Sequence, residues 1–136
     1  MKNQVLFLLA VIFALFISST RDKPSNKTPL TGVWELVSGE WTMQDSTYVL
    51  PGPGMKMKSM KYYARDHFFC IGMNAPGIDR YAFSGTYKID GESYTETVTY
   101  STGGNIGEVY PLKFKVSGDT LKLKGDWFHE TWKRVE

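Results

Sequence analysis

The sequence predicts an all-β fold, an eight-stranded antiparallel up-and-down β-barrel preceded by an N-terminal signal peptide. Three observations predict the barrel. From Gly32 onward, apolar and aromatic residues alternate with Thr, Ser and Lys, which is the period of a half-buried strand. The alternating runs are short and broken at close spacing by Gly, Asp and Asn, as in sandwiches and barrels. No stretch of useful length after Gly32 carries helical periodicity.

The 136 residues suffice for one domain with a core and are too few for two. A net charge of +2 without a basic, aromatic-studded stripe leaves no electrostatic footprint for a nucleic-acid partner. Lys56, Lys58 and Lys61 form a short basic run, expected as a solvated strand edge.

Met1 to Gln4 carries one lysine, Val5 to Ile17 is thirteen unbroken apolar residues, and Ser18, Ser19 and Thr20 follow. This is the layout of a secretory signal peptide over residues 1–19, since a membrane span needs about 20 apolar residues. The expectation is a secreted or periplasmic protein with no membrane span after cleavage; an anchor formed by the uncleaved segment is the alternative. Residues 20–30, which include RDKPSNKTP, read as a polar linker, and residues 31–136 as the barrel domain. The single cysteine, Cys70, can form no internal disulfide and is too far from the leader to carry an N-terminal lipid.

The expected strands are 32–38, 57–64, 67–73, 80–89, 92–101, 108–117, 120–124 and 128–135. Asp90-Gly91 is the strongest hairpin signal, a two-residue turn. Arg65-Asp66 and Ser117-Gly118-Asp119 are also tight, whereas 39–56, 74–79 and 102–107 are long and irregular. Alternate connections of a meander fall at one end, so the long ones form a mouth and the tight ones a floor. With Asp90-Gly91 as the turn, Tyr87 faces Tyr94 and Gly85 faces Glu96, where Gly85 either permits a bend or makes room for the carboxylate.

Parity then gives an inward set of Trp34, Leu36, Met60, Tyr62, His67, Phe69, Ile71, Tyr81, Phe83, Tyr87, Tyr94, Glu96, Val98, Tyr100, Tyr110, Leu112, Phe114, Val116, Leu121, Leu123, Phe128, Glu130, Trp132 and Arg134. Lys88, Lys113, Lys115, Lys122, Lys124 and Lys133 fall outside. Tyr63, Phe68 and Cys70 fall outside as well, so either the register around Arg65-Asp66 is off by one or the outer wall carries an apolar patch.

Gly32-Val33-Trp34 resembles the Gly-x-Trp signature of the lipocalins and their calycin relatives. Arg134 resembles the basic residue that packs across that tryptophan in them. DHF at 66–68, GTYKIDGESYTETVTY at 85–100, FKVSGDTLKLKG at 114–125 and ETWKR at 130–134 are similar to lipocalin-like domains of uncharacterised secreted bacterial proteins. The resemblance spans nearly all of the domain. It implies a barrel holding a small, largely apolar ligand, with 39–56 as a lid-like loop at the mouth and Trp34 and Arg134 as a structural floor.

An eight-stranded barrel is just wide enough to be filled by side chains or to hold one small ligand. The many inward tyrosine hydroxyls favour a wet or ligand-filled interior, because a buried hydroxyl without a partner costs about 1–3 kcal/mol. Glu96 must be paired, hydrogen-bonded or protonated. Tyr87, Tyr94, Arg134 and His67 are its candidate partners. A satisfied polar group fixing the register, a ligand anchor and an acid–base catalyst are its open roles. Glu130 either joins the site or neutralises Arg134.

The expected ligand-binding residues are Tyr62, His67, Phe69, Tyr81, Phe83, Tyr87, Tyr94, Glu96, Tyr100, Tyr110, Phe114, Glu130 and Trp132. No nucleophile elbow exists, and His67 and His129 fall on opposite faces. His67 and Cys70 point apart on a strand, and Gly103, Gly104 and Gly107 precede no helix, so neither a metal nor a phosphate-bearing cofactor is expected. The reading is a carrier of a small apolar or amphipathic ligand. A filled-core interaction module of the cell envelope is the alternative, and a barrel isomerase or cyclase using Glu96 and His67 the third. The oligomeric state is left open.

Overall fold

The structure, a computed structural model, describes residues 27–52, 57–73 and 80–135. The expected signal peptide and all but the end of the expected linker lie outside these residues.

Nine antiparallel strands follow in chain order: β1 Gly32–Met43, β2 Ser46–Leu50, β3 Lys58–Ala64, β4 His67–Met73, β5 Arg80–Asp90, β6 Ser93–Ser101, β7 Val109–Ser117, β8 Thr120–Lys124 and β9 Phe128–Arg134. Each of β3 to β8 pairs with the next, and β1 pairs with both β3 and β9, so eight strands close a barrel. The ninth, β2, pairs with the upper half of β1, from Gly39↔Leu50 to Met43↔Ser46. Most of the stretch expected as an irregular lid is therefore a hairpin that prolongs the wall beyond the barrel rim.

The two ends differ as the turns require. At the floor, Tyr87 N–H donates to Asp66 O, Phe114 N–H to Glu92 O and Arg134 N–H to Asp119 O, tying each tight turn to its neighbouring strand. The end of the expected tether seals this floor. Leu30 is fully buried, and Trp34 Nε1–H donates to its carbonyl at 2.7 Å. The Arg134 guanidinium lies 4.0 Å from the Trp34 ring centre and donates to the carbonyls of Thr31 and Pro29. Arg134 is thus committed to the floor and to Asp119, not to Glu130.

The β5–β6 hairpin turns on Gly91-Glu92 rather than Asp90-Gly91, with Asp90 facing Ser93 and Gly91 at φ 61°. This puts Tyr87 opposite Glu96 and Ile89 opposite Tyr94. The slip keeps the parity, so Tyr87, Tyr94, Glu96 and Val98 still face inward and are buried. Gly85 faces Val98, beside a bulge, and a Cβ there would come within 1.8 Å of the Thr97 carbonyl oxygen. Its role is the bend.

Parity is reversed in β3 and β4. Ser59, Lys61, Tyr63, Phe68 and Cys70 are buried, while His67, Phe69 and Ile71 are exposed and Met60 and Tyr62 half-exposed on the outer face. The off-by-one alternative holds, and the outer wall still carries an apolar stripe, with Tyr62 and Phe69 in cross-strand contact. Tyr100 is also outside, 58% exposed, because the bulge between Ser84 and Gly85 flips the end of β6. A second bulge, at Val37, turns Trp41 inward. The six lysines expected outside, Lys88, Lys113, Lys115, Lys122, Lys124 and Lys133, are all exposed.

Candidate functional site

The barrel encloses a cavity of about 530 Å³. Its walls are mainly apolar: Leu36, Trp41, Tyr81, Phe83, Leu112, Phe128 and Trp132, with Met43, Tyr48 and Trp127 toward the rim. Three wall aromatics are aimed by glycines. A Cβ would strike the Trp41 ring at Gly39 (2.2 Å), the Tyr81 ring at Gly72 (2.3 Å) and the Phe128 ring at Gly125 (2.4 Å). Each ring lies against backbone that only glycine leaves bare.

Toward the floor, β3 and β6 meet across the interior. Lys61 Nζ lies 2.5 Å from Glu96 Oε1, and both side chains are almost fully buried. The same oxygen accepts from Tyr94 Oη at 2.7 Å and Tyr63 Oη at 3.4 Å, and the two hydroxyls are 3.1 Å apart. Glu96 is therefore a satisfied polar group joining β3 and β6. Of its expected partners only Tyr94 is present; Tyr63 and Lys61 take the places of Tyr87, Arg134 and His67.

Lys61 tolerates burial for two reasons. Burial alone would push its ammonium down, but the neighbouring Glu96 charge holds it well above its ordinary value. It also lies within 6.0 Å of the ring centres of Tyr63, Phe68, Phe83 and Trp132, whose faces attract a cation. Burial raises the Tyr63 and Tyr94 hydroxyls, so both stay protonated donors. Burial also pushes the Cys70 thiol up to about 11.

Glu130 sits higher, level with Gly39 on β1 and Leu123 on β8. Oε1 accepts from Trp41 Nε1 at 3.0 Å and Oε2 from Trp132 Nε1 at 2.9 Å, so two indole edges clamp the carboxylate at the cavity wall. Burial raises its carboxyl above the ordinary value, although the Lys61 charge and both indole donors pull the other way.

Of the expected ligand-binding residues, Tyr81, Phe83, Glu96, Tyr110, Glu130 and Trp132 line the cavity. Tyr94 lies behind Glu96 with Phe114 edge-on against it. Tyr87 belongs to the floor, where its hydroxyl donates to Arg65 O and meets Thr28 Oγ1. Tyr62, His67, Phe69 and Tyr100 face outward. His67 pairs with the exposed Asp66 at 2.7 Å, on the opposite side of the wall from Glu96, so the two cannot form one acid–base pair. Sequence parity missed Lys61, Ser59 and Cys70, and Trp41 fell in the stretch expected as a lid-like loop. The signal for Lys61 was the buried Glu96 itself, which needed a cation on an inward position. Among the described residues no cluster of metal ligands occurs.

Solved structures share this architecture. A lipocalin-like protein from Bacteroides uniformis superposes with a TM-score of 0.55 at 16% identity, covering 79% of this chain and 100% of its own. An uncharacterised protein from Bacteroides eggerthii gives 0.53 at 14% identity, covering 78% and 99%. At these identities the likeness shows the fold alone, a lipocalin-like barrel. No curated protein sequence matches. Residues 29–136, the whole barrel together with the residues that seal its floor, match one family profile, and the chain belongs to that family, the domain of unknown function DUF4488.

Proposed function

We propose that the protein binds a small amphipathic molecule inside its barrel. The observation that supports this reading is the cavity of about 530 Å³, apolar along its walls and carrying fixed polar groups at Glu130 and at the Lys61–Glu96 pair. Pockets of about 300–1,000 Å³ with a few oriented polar groups are typical of small-molecule sites. A core serving only stability would close around Leu36, Leu112 and Trp132 rather than leave a space of that size among them. The ligand's apolar part lies against Trp41, Tyr81, Phe83 and Phe128, and its polar end meets Glu130. Glu96, already occupied by three donors, holds the frame and does not anchor the ligand. The leader-like residues 1–19 support a site of action outside the cytoplasm.

Trp41 and Trp132 both touch the cavity and report on its contents. Titration with a panel of alkyl amines, alcohols, acids and sterols is expected to change indole emission and raise the melting temperature. Mass spectrometry of molecules co-purifying with the mature protein identifies the natural ligand, and its N-terminal residue tests the leader. A panel giving neither an emission change nor a shift in melting temperature overturns the reading.

A further inference from the structure

We infer that the cavity selects amphipathic cations, such as a protonated amine on an apolar chain, with the nitrogen seated at Glu130. This rests on the reading of the barrel as a ligand carrier and names the ligand's charge.

The inference follows from the charges facing the cavity. Among the described lining residues these are Lys61, Glu96 and Glu130, one positive and two negative. Lys61 and Glu96 neutralise each other at 2.5 Å. Glu130 receives only the neutral indole N–H groups of Trp41 and Trp132, and among the described residues no Lys, Arg or His nitrogen lies within ion-pair distance of it. With all three ionised, the lining thus carries one negative charge in excess, among mainly apolar walls where charge interactions are screened less than in water.

An anionic amphiphile entering this space would face two carboxylates and an ammonium already engaged. A neutral one could offer Glu130 a single hydroxyl donor. A cationic one offers a charge-assisted hydrogen bond and lies among aromatic rings that favour cations. Burial raises the Glu130 carboxyl, and a cation seated beside it would offset that cost of ionisation. The rim residues Met43, Tyr48 and Trp127, each about half exposed, suit an apolar tail running from Glu130 to the mouth.

The test compares three ligands of equal chain length at pH 7, below their micelle thresholds: decylamine, decanol and decanoate. Calorimetry and indole emission on the wild-type protein are expected to rank the amine first, about tenfold or more tighter than the alcohol, with decanoate weakest. Glu130→Gln is expected to bring the amine-to-alcohol ratio toward one, with a melting curve verifying that it is folded. Should alcohol and amine bind equally, or decanoate bind best, the cation preference is wrong while the carrier reading stands. Should none of the three bind, the cation preference falls, and the carrier reading is decided by the wider panel that includes sterols.

Discussion

Lys61 on β3 and Glu96 on β6 meet at 2.5 Å inside the barrel, although two strands separate β3 from β6 around the wall. The pair is a brace across the interior, not a rung between neighbours. Removing one partner strands the other charge in a poorly hydrated space. Lys61→Met is expected to destabilise the protein by about 3–5 kcal/mol. The double variant Lys61→Met/Glu96→Leu should recover most of that loss, because it leaves no orphaned charge. Urea unfolding of the four proteins of the cycle at pH 7 measures the coupling. A single variant losing under about 1 kcal/mol would mean that water reaches the pair.

Two glycines that look alike in sequence should behave differently. At Gly85 the obstacle to a Cβ is the Thr97 carbonyl oxygen at 1.8 Å, which is backbone held in a ladder. At Gly72 it is the end of the Tyr81 ring, which can rotate away. Gly85→Ala is expected to cost about 3 kcal/mol or more, and Gly72→Ala well under that. Thermal unfolding of the two variants side by side decides it.

Glu130 predicts a pH dependence. Its carboxyl is raised above 4.5 in the folded state. Between 4.5 and the folded value, the native protein binds more protons at this site than the unfolded chain, so stability from this group is fully present below that window and falls as pH rises through it. Glu130→Gln should therefore gain on the wild type as pH rises from about 4 to 7. Lys61, raised above 10.5, acts at the other limb, with its contribution intact below 10.5 and lost as pH rises through the folded value. Unfolding free energies of wild type and Glu130→Gln from pH ~4 to ~7, and of wild type and Lys61→Met from pH ~9 upward, check both signs.

Cys70 should be silent. Burial leaves it 2% exposed with a thiol pushed up to about 11, so at pH 8 only about one thiol in a thousand is ionised. A disulfide exchange reagent is expected to label it in urea and hardly at all in buffer. Rapid labelling of the native protein would show that the interior opens on that timescale.

Most of the strand order was legible because seven of the eight barrel strands alternate cleanly or end at a Gly, Asp or Asn turn. The orientation of β3 and β4 was not. Met60, Tyr62, Phe69 and Ile71 are apolar on one parity, and Tyr63, Phe68 and Cys70 on the other, so alternation could not choose between them. The rule that lysine faces water then chose wrongly, since Lys61 is needed inside by Glu96. Tyr100 was misplaced for another reason. It follows a bulge near Gly85, and an inserted residue reverses parity without changing composition. Trp41 fell in the stretch 39–56 expected as a lid-like loop, because the first strand was ended at 38. The β1–β2 hairpin was missed because WTMQDSTYV has a weak turn; Gln44 takes φ 53° with no glycine to announce it.

The bare backbone beneath Trp41, Tyr81 and Phe128 carries a consequence for how this fold can diversify. Gly39, Gly72 and Gly125 need never meet the cargo, yet each fixes where a wall ring rests. A single methyl at any of them would tilt one panel of the chamber and leave the strand pairing intact. Relatives can thus reshape the lumen through residues that no map of cargo contacts would contain.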